Sequence, residues 1–332
     1  MAEIVLVHGI DQQDKSAETL EKEWLPALAS GLRLAGFPAV ADRIWSENGE
    51  PGSIDTHMAF YGNLFLIPGL QGDGVRTSPS QECELLDALA IEWLRRAADR
   101  ATTQRTRQIA RREFNQLTHN LGVEQGAGKY VRSAARCLAK IPWFAPYGMG
   151  LAERFVQRSL TQVTRYFSEA YIRAAAVKSI LDLIGSETRV LIGHSLGSVV
   201  AYEASHHIVR PLPLLLTLGS PLGLHTIIYD RLQPQPPSFP LAVRRWVNIA
   251  DPDDFIAADP KIESLFGAGK PASALLEGSF TQEGGSEPHS SLFYLRRPEV
   301  GGPVGKLFQD YAGPRSDRIC RESLGSGKRI RP

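Results

Sequence analysis

The stretch VLIGHSLGSVV, residues 190–200, constrains the fold of this chain more than any other feature of its sequence. An apolar run typical of a buried strand leads into Gly-His-Ser-Leu-Gly, and residues 196–209 are typical of a helix. A strand joined to a helix in this way predicts a very tight turn, with Ser195 in a strained conformation and its hydroxyl exposed. A side chain at Gly193 or Gly197 would collide with neighbouring backbone, so glycine is needed on both sides.

Strands and helices alternate along most of the chain. We predict strands at 3–9, 56–65, 188–193, 213–219 and 242–250, and helices at 16–36, 166–184 and 196–209. This alternation predicts an α/β protein with a mostly parallel sheet that is covered by helices on both faces.

Three segments resemble the α/β-hydrolase superfamily in its lipase and esterase branch. GHSLGS (193–198) matches its nucleophile elbow, VLVHGI (5–10) its strand and oxyanion loop, and LTLGSPLGL (216–224) the strand and turn after the elbow helix. The resemblance implies the α/β-hydrolase fold with a sheet of about six strands. Because VLVHGI lies so close to the first residue, we expect the superfamily's usual first two strands to be missing from this sheet.

The resemblance also implies a division of the chain. Residues 1–65 and 166–312 would form the α/β-hydrolase core. Between 81 and 165 the pattern becomes helical and rich in arginine, which predicts a helical cap inserted into that core. Residues 313–332 are polar and basic, and we expect this tail to be poorly ordered.

A serine hydroxyl needs a base and an acid, and in this superfamily the chain order is serine, acid, histidine. His289 is the histidine that follows a plausible acid, whereas His225 lies too close to the predicted elbow helix. We interpret His194 as a packing residue whose ring points away from the hydroxyl. We expect His8 to hold the oxyanion loop through a side-chain hydrogen bond.

The acid is expected in DPDDFIAADP, residues 251–260, directly after a predicted strand. In the superfamily the acid is often followed at its second position by an apolar residue, and Asp254-Phe-Ile fits this pattern best. Asp251, at the end of the strand, remains the alternative. The two backbone donors of an oxyanion hole are expected at Leu196, after the serine, and at Ile10.

The predicted cap is strongly basic, although the whole chain carries a formal net charge of only +1. Residues 93–160 hold thirteen arginines or lysines against four acids. These charges either form a solvated helix face or attract an anionic substrate or an anionic lipid surface. In the second case the apolar segment 141–150 would line the acyl entrance. The overall charge gives no reason to expect nucleic acid as a partner.

The sequence predicts no cofactor and no metal. Gly-Ala-Gly-Lys or Gly-Ser-Gly-Lys at 126–129, 267–270 and 325–328 lacks the flanking residues of a phosphate loop. No histidine–carboxylate spacing suggests a metal site. Three scattered cysteines (Cys83, Cys137, Cys320), the absence of a basic leader and the absence of a long apolar run lead us to expect a cytoplasmic protein.

These expectations combine into one function. The resemblance implies a serine hydrolase of carboxylic esters, comparable to an esterase, lipase or phospholipase, that acts on a small-molecule or lipid ester. Ser195, His289 and Asp254 would form its catalytic triad. A thioesterase or amidase with the same triad, or a non-catalytic binding protein of the same fold, remains an alternative.

Overall fold

Six parallel strands form one open sheet in the computed structural model, which describes residues 1–66, 79–121, 137, 140, 149–281 and 287–309. The strands are β1 (Ile4–Val7), β2 (Thr56–Ala59), β3 (Val190–His194), β4 (Leu212–Leu218), β5 (Val243–Ala250) and β6 (Leu275–Phe280). Their order across the sheet is β2-β1-β3-β4-β5-β6, and every neighbouring pair is parallel. The predicted α/β class, the parallel pairing and the number of strands are confirmed.

Helices follow most of the strands and cover both faces of the sheet. Within the described residues they are α1 (Ala17–Leu34), α2 (Pro38–Ile44), α3 (Pro79–Arg100), α4 (Gln104–Leu121), α5 (Met149–Ser168), α6 (Ala170–Leu181), α7 (Leu196–Ser205), α8 (Glu263–Phe266), α9 (Ser291–Leu295) and α10 (Pro298–Gln309). None of these helices combines the length and apolar character that a membrane crossing requires.

The sheet separates two hydrophobic cores because successive side chains of a strand point to opposite faces. On β1, Val5 and Val7 join one core, which includes side chains of α3, α5, α6 and α7. Ile4 and Leu6 join the other, which includes side chains of α1, α2, α9 and α10. Burial on both faces explains why these parallel strands are almost continuously apolar.

Helix α1 shows how the sequence pattern becomes packing. Leu20, Trp24, Leu28 and Leu32 recur at helical spacing along one face, and each is at most 2% exposed. Ser16 caps the helix, because its side chain accepts a hydrogen bond from the amide of Thr19. The helix predicted at 16–36 is therefore confirmed as Ala17–Leu34.

Three details differ from the prediction. Strand β2 ends at Ala59 rather than 65, because the amide of Tyr61 donates to the His8 side chain and not to a neighbouring strand. The helix expected at 166–184 is not continuous: α5 ends at Ser168, Glu169 has an extended backbone, and α6 runs from Ala170 to Leu181. Strand β6 was not predicted, since LLEGSF is a mostly exposed segment that contains a glycine.

The described helices of the predicted cap pack against one face of the sheet. Leu89 and Trp93 of α3 and Leu160 of α5 are buried in the same core as Val5 and Leu191 of the sheet. This part of the chain therefore shares a core with the strands. Most of the predicted acyl-entrance segment (141–150), and the tail at 313–332, lie outside the described residues.

Candidate active site

The turn between β3 and α7 has the strained geometry that its sequence predicts, but Ser195 is only 3% exposed, so the prediction of an exposed hydroxyl was wrong. Ser195 has φ 54° and ψ −127°, a region that residues other than glycine rarely occupy. Its amide donates to the carbonyl of Leu218 on β4, which ties the turn to the sheet. The serine therefore sits at the carboxyl end of β3 and directly before the N-terminus of a helix.

Both glycines of this turn are required by close backbone contacts. A Cβ atom at Gly193 would come closer than 3.0 Å to backbone atoms of Gly197 and Ser198. A Cβ atom at Gly197 would come closer than 3.0 Å to the carbonyls of Val7 and His8. The elbow is thus compact in itself and is pressed against the end of β1.

His289 lies between the serine and an aspartate. Its Nε2 is 2.9 Å from Ser195 Oγ, and its Nδ1 is 2.8 Å and 2.9 Å from the two carboxylate oxygens of Asp254. The carboxylate can only accept, so Nδ1 carries the proton and Nε2 is free to accept from the serine hydroxyl. The three residues form one hydrogen-bonded series, although His289 lies 94 positions from Ser195 and 35 positions from Asp254 along the chain.

The carboxylate of Asp254 is fully buried and has several donors. Oδ1 accepts from the amides of Ile256 and Ala257, each at 3.1 Å, in addition to its contact with His289. Oδ2 accepts from the hydroxyl of Tyr294 at 2.7 Å. Such donors compensate for the loss of water and hold the carboxylate in one orientation.

The two neighbouring aspartates have other partners. Asp251 accepts from the hydroxyl of Thr281 at 2.6 Å and from the amide of Asp253 at 2.9 Å, and burial raises its pKa. Asp253 accepts from the amide and hydroxyl of Thr102 at 2.6 Å and 2.5 Å. Of the two aspartates that the sequence left open as the acid, Asp254 is the one placed against His289.

Two arginines of the basic segment hold the loop that carries Asp254, which we call the acid loop (251–257). Arg96 donates to the carbonyl of Ala257 at 2.7 Å, and Arg100 donates to the same carbonyl at 3.1 Å. Arg96 is only 9% exposed, and Glu92 lies beside it at 2.8 Å. These two positive charges make contacts within the protein. They therefore contribute less to a positive surface that an anionic substrate or lipid could bind.

Tyr294 is the residue of this site that the sequence did not indicate. It lies on α9, five residues after His289, and its ring is fully buried. Its hydroxyl accepts from the amide of Asp251 at 2.8 Å and donates to Asp254. A tyrosine in a short apolar segment has no motif that distinguishes it from a core residue, so only the structure reveals this contact.

The segment after β1, which we call the oxyanion loop (9–14), lies against the serine. A Cβ atom at Gly9 would be 2.8 Å from the Cβ of Ser195. The amide of Asp11 donates to Gln162 Oε1 at 2.8 Å and is therefore occupied. Leu196 is the first residue of α7, and an amide at that position has no acceptor within its own helix. The predicted donors, Ile10 and Leu196, thus belong to the two segments that flank Ser195.

His8 holds the start of this loop, as predicted. Its Nδ1 donates to the carbonyl of Gly9 at 2.7 Å, and its Nε2 accepts from the amide of Tyr61 at 3.0 Å. The ring of Tyr61 stacks on the imidazole at 4.2 Å. Burial lowers the pKa of His8 to about 4, so the ring is neutral at pH 7 and can make both hydrogen bonds.

His194 packs behind the base. Its ring lies 4.9 Å from the ring of His289 and 6.3 Å from that of Trp24, between centroids. Burial, with a smaller effect of the nearby His289, holds the pKa of His194 well below its usual value. A neutral ring at this position adds no repulsive charge to His289 when that residue takes up a proton, which agrees with the interpretation of His194 as a packing residue.

Comparisons of the chain with models of protein families, with curated proteins and with solved structures found no match. The fold and the site therefore define the class by themselves. The protein is an α/β protein with one open, parallel, six-stranded sheet. A hydrogen-bonded serine, histidine and aspartate lie in the loops that follow strands of this sheet.

Proposed function

We propose that this protein is a serine hydrolase of the α/β-hydrolase type that cleaves carboxylic esters through an acyl-enzyme. The observation that carries the proposal is the series Ser195 Oγ–His289 Nε2–Asp254, with both contacts between 2.8 Å and 2.9 Å. The strained backbone of Ser195 adds support, because strain at a residue other than glycine is concentrated at functional sites.

The first half of the reaction transfers the acyl group to the protein. Ser195 Oγ attacks the ester carbonyl carbon while its proton passes to His289 Nε2. Asp254 stabilises the resulting imidazolium, and the four donors around its carboxylate hold it in place. When the tetrahedral intermediate breaks down, His289 returns the proton to the departing alcohol.

The second half reverses these steps with water. His289 takes a proton from a water molecule, which attacks the acyl-enzyme carbonyl, and then protonates Ser195 Oγ as the acid product leaves. In both halves a negative oxygen develops beside the serine. We assign its two donors to the amides of Leu196 and Ile10, and loss of one such donor typically costs 10²–10³ in turnover.

The ester class is proposed from the resemblance of GHSLGS and LTLGSPLGL to lipases and esterases. A thioester or an amide would meet the same triad. Turnover of matched oxygen-ester, thioester and amide substrates with one common acyl group separates these possibilities. We expect the oxygen ester to react fastest relative to its own uncatalysed rate.

Hydrolysis of 4-nitrophenyl esters of increasing acyl length tests the function itself. We expect Ser195→Ala to lower kcat by at least about 10⁴-fold, because no other group supplies the nucleophile. Ser179→Ala is the matched control, since that hydroxyl lies on α6 and donates to the carbonyl of Ala176. Equal activity of the wild type and Ser195→Ala would contradict the proposal, as would a wild type that is inactive on every substrate.

A further inference from the structure

Asp11, in the oxyanion loop, has an unfavourable backbone conformation. Its φ is 62°, in the left-handed region that glycine occupies freely and aspartate only occasionally. The residue directly follows Ile10, which carries the proposed oxyanion donor. A strained residue at this position persists only if neighbouring groups hold it there.

Gln162, on helix α5, provides the contact that holds this residue. Its Oε1 accepts from the amide of Asp11 at 2.8 Å, and its Nε2 donates to Gln13 Oε1 at 2.8 Å. Gln162 is only 4% exposed, so water competes little for these hydrogen bonds. One buried amide thus joins two residues of the oxyanion loop to a helix 151 positions away.

Neighbouring residues of α5 add weaker contacts on the same side. Arg158, one turn earlier, lies 2.8 Å from the carboxylate of Asp11, but its side chain is 50% exposed and the ion pair is screened. A cavity of about 440 Å³ lies beside these contacts, with Gln13, Arg158 and Gln162 in its wall. Of the contacts described here between α5 and the oxyanion loop, the hydrogen bonds of Gln162 are more buried than the ion pair of Arg158.

We infer that Gln162 is a positioning residue that sets the orientation of the Ile10 amide for oxyanion stabilisation; this rests on the proposed function. The amide of Asp11 belongs to the peptide group that joins Ile10 to Asp11. Fixing that peptide group leaves only the two backbone dihedrals of Ile10 to orient its own amide. Helix α5, which lies in the segment outside the hydrolase resemblance, thereby completes the oxyanion hole.

Three variants of Gln162 test this inference with a 4-nitrophenyl ester as substrate. Gln162→Leu removes the acceptor, and Gln162→Asn, one methylene shorter, withdraws it from the Asp11 amide. We expect both to lower kcat about 10-fold or more, short of the 10²–10³ for full loss of a donor, with KM changed less than about threefold. Gln162→Glu retains an acceptor for the amide of Asp11 but loses the donor to Gln13 Oε1, so it should keep more of the wild-type kcat than Gln162→Leu.

A boronic acid inhibitor gives the second readout, because its tetrahedral adduct places an oxygen in the oxyanion hole. Its affinity should fall in parallel with kcat/KM in Gln162→Leu and Gln162→Asn, which a purely structural role would not require. Gln108→Leu, at an exposed position of α4, is the matched control and should leave both values unchanged.

The outcomes are distinguishable. Wild-type kcat and inhibitor affinity in Gln162→Asn would overturn the inference, even if Gln162→Leu failed to fold. A wild type with neither ester turnover nor boronic acid binding would instead refute the proposed function.

Discussion

The elbow around Ser195 and the acid loop around Asp254 achieve the same end by different means. The elbow is held by backbone contacts, and Gly193 and Gly197 are the residues that allow its chains to approach. The acid loop is held by side chains from elsewhere, including Tyr294 of α9 and Arg96 of α3. A turn that depends on close backbone contacts needs glycines at fixed positions, and these are visible as a short sequence motif. Support by side chains from distant elements produces no such motif.

The largest effect should come from the acid itself. Asp254→Asn removes the charge that stabilises the protonated His289 and favours the wrong tautomer, so we expect kcat to fall by about 10⁴-fold. Asp251→Asn is the matched control. Its partners, Thr281 and the amide of Asp253, can both be satisfied by an asparagine, and activity should change only a few-fold. Comparable losses in the two variants would show that the acid has been assigned incorrectly.

Adding even a single methyl group at a glycine of the elbow should lower the stability of the protein. Gly197→Ala brings a methyl group against the carbonyls of Val7 and His8, and we expect a loss of about 3 kcal/mol or more in the free energy of unfolding. Gly302→Ala, on α10 where an added Cβ meets no atom within 4 Å, should be neutral or slightly stabilising. Denaturant unfolding measures both, and equal stability of the two variants would contradict the packing described for the elbow.

The free energy of unfolding should depend on pH because of His8, which lies where the elbow contacts the end of β1. The imidazole of His8 takes up a proton near pH 6.5 when unfolded, but only at about 4 when folded. The unfolded state therefore binds more protons between these values, and stability decreases as pH falls from about 6.5 to 4, by up to about 3 kcal/mol for this residue. His8→Gln should show a smaller decrease over the same range, and an unchanged decrease would rule out this contribution.

The smallest effect tests the support of the acid loop. Tyr294→Phe removes one donor from Asp254 and an acceptor from the amide of Asp251, and we expect kcat to fall about 10-fold with KM nearly unchanged. The dependence of kcat/KM on pH should change as well, because the carboxylate that contacts His289 has lost one hydrogen-bond donor.

The control for this variant is Tyr229→Phe, which loses a partly buried hydrogen bond to the carbonyl of Leu265. It should lose stability but keep its activity and its pH profile. If Tyr294→Phe behaves in the same way, Tyr294 only packs and does not position the acid.

The same contrast explains what could be predicted from the sequence. Strands β1, β3 and β4 are mostly apolar runs, β5 is rich in apolar residues, and α1 repeats its apolar residues at helical spacing, so these elements are evident from local pattern. Strand β6 was missed because an exposed edge strand needs little apolar sequence. Strand β2 ends before the predicted residue because the amide of Tyr61 donates to the side chain of His8 and not to a neighbouring strand.

The residues of the candidate site also fall into two groups: some are evident from a local sequence pattern, and others depend on how distant elements pack. Ser195 and its glycines lie within five residues, and the order of serine, acid and histidine narrows the rest. The choice between Asp251 and Asp254 required knowing which carboxylate faces His289. Tyr294 acts across 40 positions and Gln162 across 151, and contacts of this range depend on how distant elements pack.

The central claim is that the hydroxyl of Ser195 is activated by His289. Reaction with a fluorophosphonate, followed by intact-mass measurement, tests it most directly, because this probe modifies a serine only when a base has made it nucleophilic. We predict one adduct per wild-type chain, located at Ser195, and none in Ser195→Ala or His289→Ala. An unmodified wild type, or equal modification of all three proteins, would contradict the account.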